Sequence, residues 1–339
     1  MKAAILPAFG QPLALEKIAT PVPEADEVLL QVEHCGVCHS DLHIIEGDLA
    51  GFRAGTKPRL IPGHEVIGRV VAKGAAVTTL EIGDRVGVAW LHSTCGACEP
   101  CREGHENLCR KAVVTGMMVD GGYAGFMRAK ASHALPVPAN LGSAEAAPLF
   151  CAGLTVYRAL KNAGVGAGQR VAVFGIGGLG HLAVQIAKAW GAEVHAFDVS
   201  EDKLAFAREL GAVSATLVTD AEAMKAVRQR GGMHVAVVTS AAKAAYDAAL
   251  RCLRPTGTLV VVGLPAEPLS FPALALVGPE LKIVSAAVGT RDDMRAVLAL
   301  AASGQLACRV EEAPLDEVNA VLDRMKRGDI RGRIVLRCC

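Results

Sequence analysis

No run of apolar residues in this sequence is long enough to cross a membrane: none reaches the roughly 18 uncharged apolar residues that a spanning helix requires. A strong charge of one sign is also missing. The net charge is +1, with basic and acidic residues interspersed, so the basic stripe of a nucleic-acid binder is excluded. No internal repeat and no low-complexity segment is present. The opening Met1-Lys2-Ala3-Ala4-Ile5-Leu6-Pro7 holds too short an apolar run for a secretory signal and enters strand-like sequence at once. A cytoplasmic protein is expected.

What is there favours two domains. The chain has 339 residues, 52% of them hydrophobic, ample for a core. The first half is rich in Gly, Pro and short β-branched runs such as Val28–Val32, Val66–Val71 and Arg85–Val88, which predicts a compact β-rich domain. Near Pro148 the texture changes. Helical periods over Ala144–Lys161 and Leu179–Ala189 alternate with apolar strands at 170–174, 193–197, 234–238 and 258–262. Such alternation predicts a parallel sheet covered on both faces. A further helix is expected over 291–303 and a last strand over 332–336.

Four cysteines fall within fifteen residues: Cys95, Cys98, Cys101 and Cys109, spaced C-x2-C-x2-C-x7-C. Four thiolates this close suit a tetrahedral zinc ion with every position filled, a structural site. The chain has eleven cysteines, an odd number, and their clustering favours metal ligands and free thiols over disulfides. Cys252, Cys308, Cys338 and Cys339 are expected to be bystanders. His92 and His105 lie near the lobe but are read as solvated surface residues, because the thiolates already fill it.

Val171-Ala172-Val173-Phe174 runs into Gly175-Ile176-Gly177-Gly178-Leu179-Gly180, and a helix follows. This is G-x-G-x-x-G in strand–turn–helix context, where the glycines let the backbone approach a pyrophosphate at a helix N-terminus. Asp198 stands 18 residues beyond Gly180, at the end of the next predicted strand. A carboxylate there accepts hydrogen bonds from a ribose and repels a 2′-phosphate, which favours NAD(H) over NADP(H). Lys203 is taken as a further cofactor contact.

Cys38, His64 and Cys151 offer a second donor set, with Cys-His-Cys being one of the sets known for catalytic zinc. They are far apart in sequence, and taken alone each also reads as a buried core residue. Five segments nevertheless occur in order: Cys38-His39-Ser40-Asp41-Leu42-His43, Gly63-His64-Glu65, the four-cysteine lobe, Cys151-Ala152-Gly153 and the glycine turn. In this the chain resembles the zinc-dependent medium-chain alcohol dehydrogenases, over almost its whole length and closest to the microbial, tetrameric, NAD-dependent branch. The resemblance implies an α/β protein with a GroES-like β-rich catalytic domain over 1–153, to which 291–339 returns, and a doubly wound Rossmann domain over 154–290.

The resemblance further implies two zinc ions per subunit, a catalytic one on Cys38, His64 and Cys151 and a structural one on Cys95, Cys98, Cys101 and Cys109. Cys35 matches no ligand and is assigned to packing. The implied activity is reversible hydride transfer between a primary alcohol and NAD(H), with zinc as Lewis acid on the alcohol oxygen. Ser40 would touch that oxygen and pass the proton through the nicotinamide ribose to His43. Asp41 would fix the tautomer of His64, and Glu65 would stand behind the metal, paired with Arg333. Arg333 and His39 would face the pyrophosphate. Trp90 matches a bulky pocket wall, whereas Leu49 stands where relatives often carry Trp. The loop to His64 looks a few residues longer than in short relatives, so a pocket open to longer or aromatic alcohols is expected. The alternatives are a related zinc reductase of cinnamyl or polyol substrates, a non-catalytic dinucleotide-binding relative, and a zinc-ribbon interaction module. The last is disfavoured because Glu99, Glu103 and Glu106 offset Arg102, Arg110 and Lys111.

Histidine at position 39 grips phosphate less firmly than a guanidinium, so NADH is expected to leave quickly and to be held more tightly as pH falls. Stopped-flow measurement should find slower NADH dissociation after His39→Arg.

Overall fold

The computed structural model describes residues 1–265 and 267–339. The chain divides into two compact units: Met1–Cys151 with Thr290–Ala302 and Cys308–Cys339, and Ala152–Gly289 with Ser303–Ala307.

The first unit is built on β1 (Glu27–Gly36), β2 (Val66–Lys73), β3 (Arg85–Val88), β4 (Phe126–Lys130) and β5 (Ala134–Pro136). Two late strands, Val310–Pro314 and Arg333–Arg337, complete the sheet beside β1, and β4 also pairs with β1. Helix α1 (His39–Glu46) follows β1, and the short α2 (Ala50–Gly55) lies in the loop before His64.

Pairing direction is what positions chemistry here. β1 and β2 run antiparallel with Cys35 opposite Val66, so the residues just after β1 meet those just before β2. Arg333–Arg337 is antiparallel to β1 with Val335 opposite Gly36, which brings Arg333 to the same corner. Cys38, His64, Glu65 and Arg333 converge because three strand ends coincide. The core beneath includes Val28, Leu30, Val32, Val66, Val86, Tyr123 and Ile334.

The predicted single helix over Ala144–Lys161 is two pieces. Ser143–Ala146 is α-helical, Ala147–Phe150 is 3-10 with Pro148 in it, and regular helix resumes at α3 (Ala152–Asn162). Cys151 at the break has φ −130° and ψ −66°, outside the helical region. Phe150 is fully buried against β3. A Cβ at Gly87 would overlap its ring, so glycine there is what admits Phe150 and sets the position of Cys151.

The second unit carries β6 (Arg170–Phe174), α4 (Gly180–Ala189), β7 (Glu193–Asp198), α5 (Glu201–Glu209), β8 (Ser214–Leu217), α6 (Ala221–Gln229), β9 (Met233–Val238), α7 (Lys243–Cys252), β10 (Leu253–Val261), α8 (Ala273–Val277) and β11 (Lys282–Ser285). All neighbours are parallel, in the order β8-β7-β6-β9-β10-β11. This is the doubly wound dinucleotide fold, with its order reversing beside β6. Phe174 and Phe197 stack at 4.6 Å between centroids in its core.

Gly180 opens α4 against the carbonyl of Gly175, which a Cβ at residue 180 would overlap. Gly180→Ala should therefore push helix from strand and cost about 1–3 kcal/mol. Thermal unfolding of the apo protein reads this loss directly.

Candidate functional site

The metal corner is assembled around Asp41, which is fully buried on the first turn of α1. Its Oδ2 accepts from the Cys38 amide at 3.0 Å and the Tyr123 hydroxyl at 2.9 Å; its Oδ1 accepts from the Gly63 amide at 3.2 Å and His64 Nδ1 at 2.8 Å. A carboxylate on Nδ1 fixes the tautomer so that Nε2 carries the lone pair. That Nε2 is buried and has no partner among the described residues. It faces Cys38 Sγ, Cys151 Sγ and a Glu65 oxygen, and one donor atom from each of the four residues lies within 4.8 Å of the others.

The thiols report the same pressure. Cys38 and Cys151 Sγ are 3.9 Å apart, well beyond a disulfide bond. The hydrogen bond from Cys151 pulls the Cys38 thiol well below its usual range, and Cys38 in turn pushes Cys151 well above it. A tetrahedral site with a metal–sulfur distance near 2.3 Å has sulfur–sulfur edges of about 3.8 Å, so both thiolates fit one zinc ion. Cys35 is also buried but stays outside this group, its Sγ filling the space that glycine leaves at 63 and 122.

Glu65 is fully buried and pairs through Oε1 with Arg333, whose Nη2 also donates to the Val37 carbonyl at 3.0 Å. Its Oε2 has no partner among the described residues and lies where a Cβ at residue 36 would be, which is why Gly36 is needed. Burial pushes the Glu65 carboxyl up to about 7, against the pull of Arg333.

Around this corner, Ser40 and His43 stand three residues apart on α1, on neighbouring positions of one helix face. His43 Nδ1 is 2.9 Å from Asp48, leaving Nε2 for another partner. His39 is exposed at the helix start. Trp90 meets His64 edge-on at 4.9 Å, and on its other side the ring of Phe52, from α2, sits 5.7 Å away. Leu49 is the half-buried residue that precedes α2. Phe52 and Tyr123 were not singled out from sequence. Phe52 had no signal because α2 has few turns and no buried residue. Tyr123 would have emerged only from asking what satisfies Asp41.

In the lobe, sulfur separations are 3.5 Å for Cys98–Cys101, 3.8 Å for Cys98–Cys109 and 3.5 Å for Cys95–Cys109. These are edges of a zinc tetrahedron, not of disulfides. Amides of Ala97 and Cys98 pull Cys95 down to about 6. His105 is exposed as expected, but His92 is not a surface residue. It lies in the strand Leu91–Ser93, which pairs with Val113–Val114, and is buried there; burial keeps its imidazole below the usual range. Glu106 clamps the lobe to Arg291, receiving its Nε at 2.9 Å, its Nη2 at 2.5 Å and its amide at 2.9 Å.

In the second unit, Gly175 has φ +89°, a conformation that favours glycine. A Cβ on Gly177 would point into open space, the room a pyrophosphate needs. Gly178 and Leu179 lead into α4, whose N-terminus carries the positive end of the helix dipole and favours an anion. Asp198 ends β7 and already accepts from the amides of Ile176 (2.6 Å), Val199 (2.8 Å) and Ser200 (3.1 Å). Of a carboxylate's roughly four lone-pair sites, about one is left for a ribose hydroxyl. Lys203 is half-buried in the first turn of α5.

Residues 24–139 match the family model described as "Alcohol dehydrogenase GroES-like domain", and 178–303 the one described as "Zinc-binding dehydrogenase". An alcohol dehydrogenase of Geobacillus stearothermophilus is 44% identical, over 99% of each chain. Among solved structures, the alcohol dehydrogenase of Aeropyrum pernix superposes with a TM-score of 0.91 at 34% identity, covering 99% of this chain and 100% of that one. An acetophenone reductase from Geotrichum candidum, solved with NAD, does so at 0.89 and 32%, covering 99% and 96%. The chain belongs to the zinc-dependent medium-chain alcohol dehydrogenase family.

Next to the lobe, burial pushes His133 down to about 4 from its ordinary 6.5, with Arg291 adding to the effect. Its ring bonds Ser132 and Thr94 as a neutral group. The unfolded chain takes up this proton first, so the stability it contributes is full above 6.5 and is lost as pH falls towards about 4. The loss is of order 3 kcal/mol. Thermal unfolding from pH 7 to 4 should show a steep decline in the zinc-loaded protein and a shallower one in His133→Gln.

Proposed function

We propose that the chain oxidises primary alcohols, reversibly, with NAD as hydride acceptor. In this reading one zinc is held by Cys38, His64 and Cys151, and a second by Cys95, Cys98, Cys101 and Cys109. The observation that carries it is the buried, unpartnered His64 Nε2 converging with two thiols and a free carboxylate oxygen. Bound zinc supplies Lewis-acid activation of an alcohol oxygen, and bound NAD accepts the hydride.

The chain's own residues do the rest. Asp41 holds the imidazole at a fixed angle and raises its basicity as a ligand. With Cys38, His64 and Cys151 as its protein donors, a bound zinc would keep one position open for substrate. Glu65, tied to Arg333 but with Oε2 free, can approach the metal during ligand exchange. Ser40 would take the alcohol's proton as it gives up its own to the nicotinamide ribose, which passes a proton on to His43 and so to solvent, with Asp48 holding the His43 ring in place through Nδ1. His39 would contact the pyrophosphate, and Arg333, whose charge is shared with Glu65, would add to the local positive field. The glycines of 175–180 and Lys203 seat the dinucleotide, and the charge of Asp198 disfavours a 2′-phosphate. Trp90 walls the substrate pocket with Leu49 at its rim.

We place the protein in the cytoplasm, where eleven free cysteines stay reduced. Among the described residues no helix is long and apolar enough to cross a membrane. A homotetramer fits the free edge of β11, which exposes Ile283, and the exposed Leu274 and Val277 of α8, all of which need a cover.

NAD reduction should be measured against a ladder of primary and secondary alcohols. Activity should favour primary alcohols and NAD over NADP. Cys151→Ser should cut it by more than about a hundredfold while the lobe keeps its zinc. Full activity in that variant at substoichiometric metal refutes the assignment.

A further inference from the structure

Asp41 needs four donors to be at ease in a dry corner, and one of them comes from a residue with no part in the reaction. Tyr123 is fully buried. Its amide donates to the Pro62 carbonyl at 3.0 Å, and the preceding Gly122 amide donates to the Gly63 carbonyl at 2.9 Å. Residues 122–123 therefore lie clamped along the segment that delivers His64. Gly63 has φ +99°, and a Cβ there would stand 2.5 Å from Tyr123 Cδ1. The ring packs flush on the backbone one residue before the ligand, and from there the hydroxyl reaches Asp41 Oδ2 at 2.9 Å.

We propose that Tyr123 is a positioning residue of the catalytic metal site, its hydroxyl locking the Asp41 carboxylate so that His64 presents Nε2 to the metal in one orientation. The inference rests on the reading that Cys38, His64 and Cys151 hold zinc. Oδ2 has two donors, the Cys38 amide and this phenol, and Oδ1 has the Gly63 amide and the imidazole. Removing the phenol unbalances the carboxylate. It can then rotate about its χ2 axis, a broad torsion, and His64 loses its fixed partner. Burial and the neighbouring Asp41 charge push the phenol well above its ordinary range, so it remains a donor at every working pH. Losing a partner that orients a ligating histidine typically costs about 10–100-fold in metal affinity.

The test uses the full-length, zinc-loaded enzyme and a chromogenic chelator in excess. Two release phases are expected, and Cys151→Ser identifies the catalytic one by abolishing it. Tyr123→Phe, which keeps the ring, should speed the catalytic phase by about tenfold or more and leave the lobe phase unchanged. In an Asp41→Asn background the same change should add nothing. A catalytic phase within about twofold of wild type overturns the proposal, as does full additivity with Asp41→Asn. Collapse of both phases together assigns Tyr123 to packing alone and also overturns it. If the wild-type enzyme shows no phase that Cys151→Ser removes, the metal reading itself falls, a result distinct from any of these.

Discussion

A carboxylate sealed from water and saturated with donors governs the shape of the metal corner. Asp41 joins the start of α1, the loop before β2 and the turn carrying Tyr123, three segments distant in sequence. Every contact it makes is charge-assisted, and in a low-dielectric setting such contacts are strong when all are made and costly when one is missing. The corner therefore has one stable arrangement. In that arrangement the imidazole of His64 has its outer nitrogen satisfied and its inner nitrogen bare.

Charge then asks for a cation. Asp41, Glu65 and two potential thiolates share a buried space with a single guanidinium, that of Arg333. Either protons or a metal must balance them. The same crowding pushes the Cys151 thiol up through its hydrogen bond with Cys38 and raises the Glu65 carboxyl through burial. A divalent ion lets both thiols ionise and leaves Arg333 to neutralise Glu65. Gly36 belongs to the same logic, since any side chain there would occupy the space of the Glu65 oxygen that faces the donors.

Much of this could be read in the chain before its fold. The four-cysteine spacing, the glycine turn and the alternation of apolar strands with helices carry their own geometry, because each is local. The convergence of Cys38, His64 and Cys151 follows only from resemblance, since antiparallel pairing of β1 with β2 is what brings two of them together and no local pattern encodes it. The break at Cys151 was missed for a related reason. Ala-rich periodicity runs through Pro148, and only the packing of Phe150 beneath Gly87 ends the helix there. His92 was misplaced because exposure was inferred from its nearness to a polar lobe, whereas it is buried in a strand of a two-stranded ribbon.

The lobe itself carries no core. Cys95 is exposed, Cys98 and Cys101 are half-exposed, and no helix in it exceeds four residues. Burial of apolar surface cannot order such a segment, but four thiolates on one metal can, because binding free energy then becomes folding free energy. Once ordered, the lobe presents Glu106 to Arg291 at the start of helix Arg291–Ala302, where the chain re-enters the first unit. Burial pushes the Glu106 carboxyl up, but the Arg291 guanidinium outweighs it and holds the group below its usual range. The Glu106–Arg291 pair thus fixes the point at which the returning helix docks on the lobe.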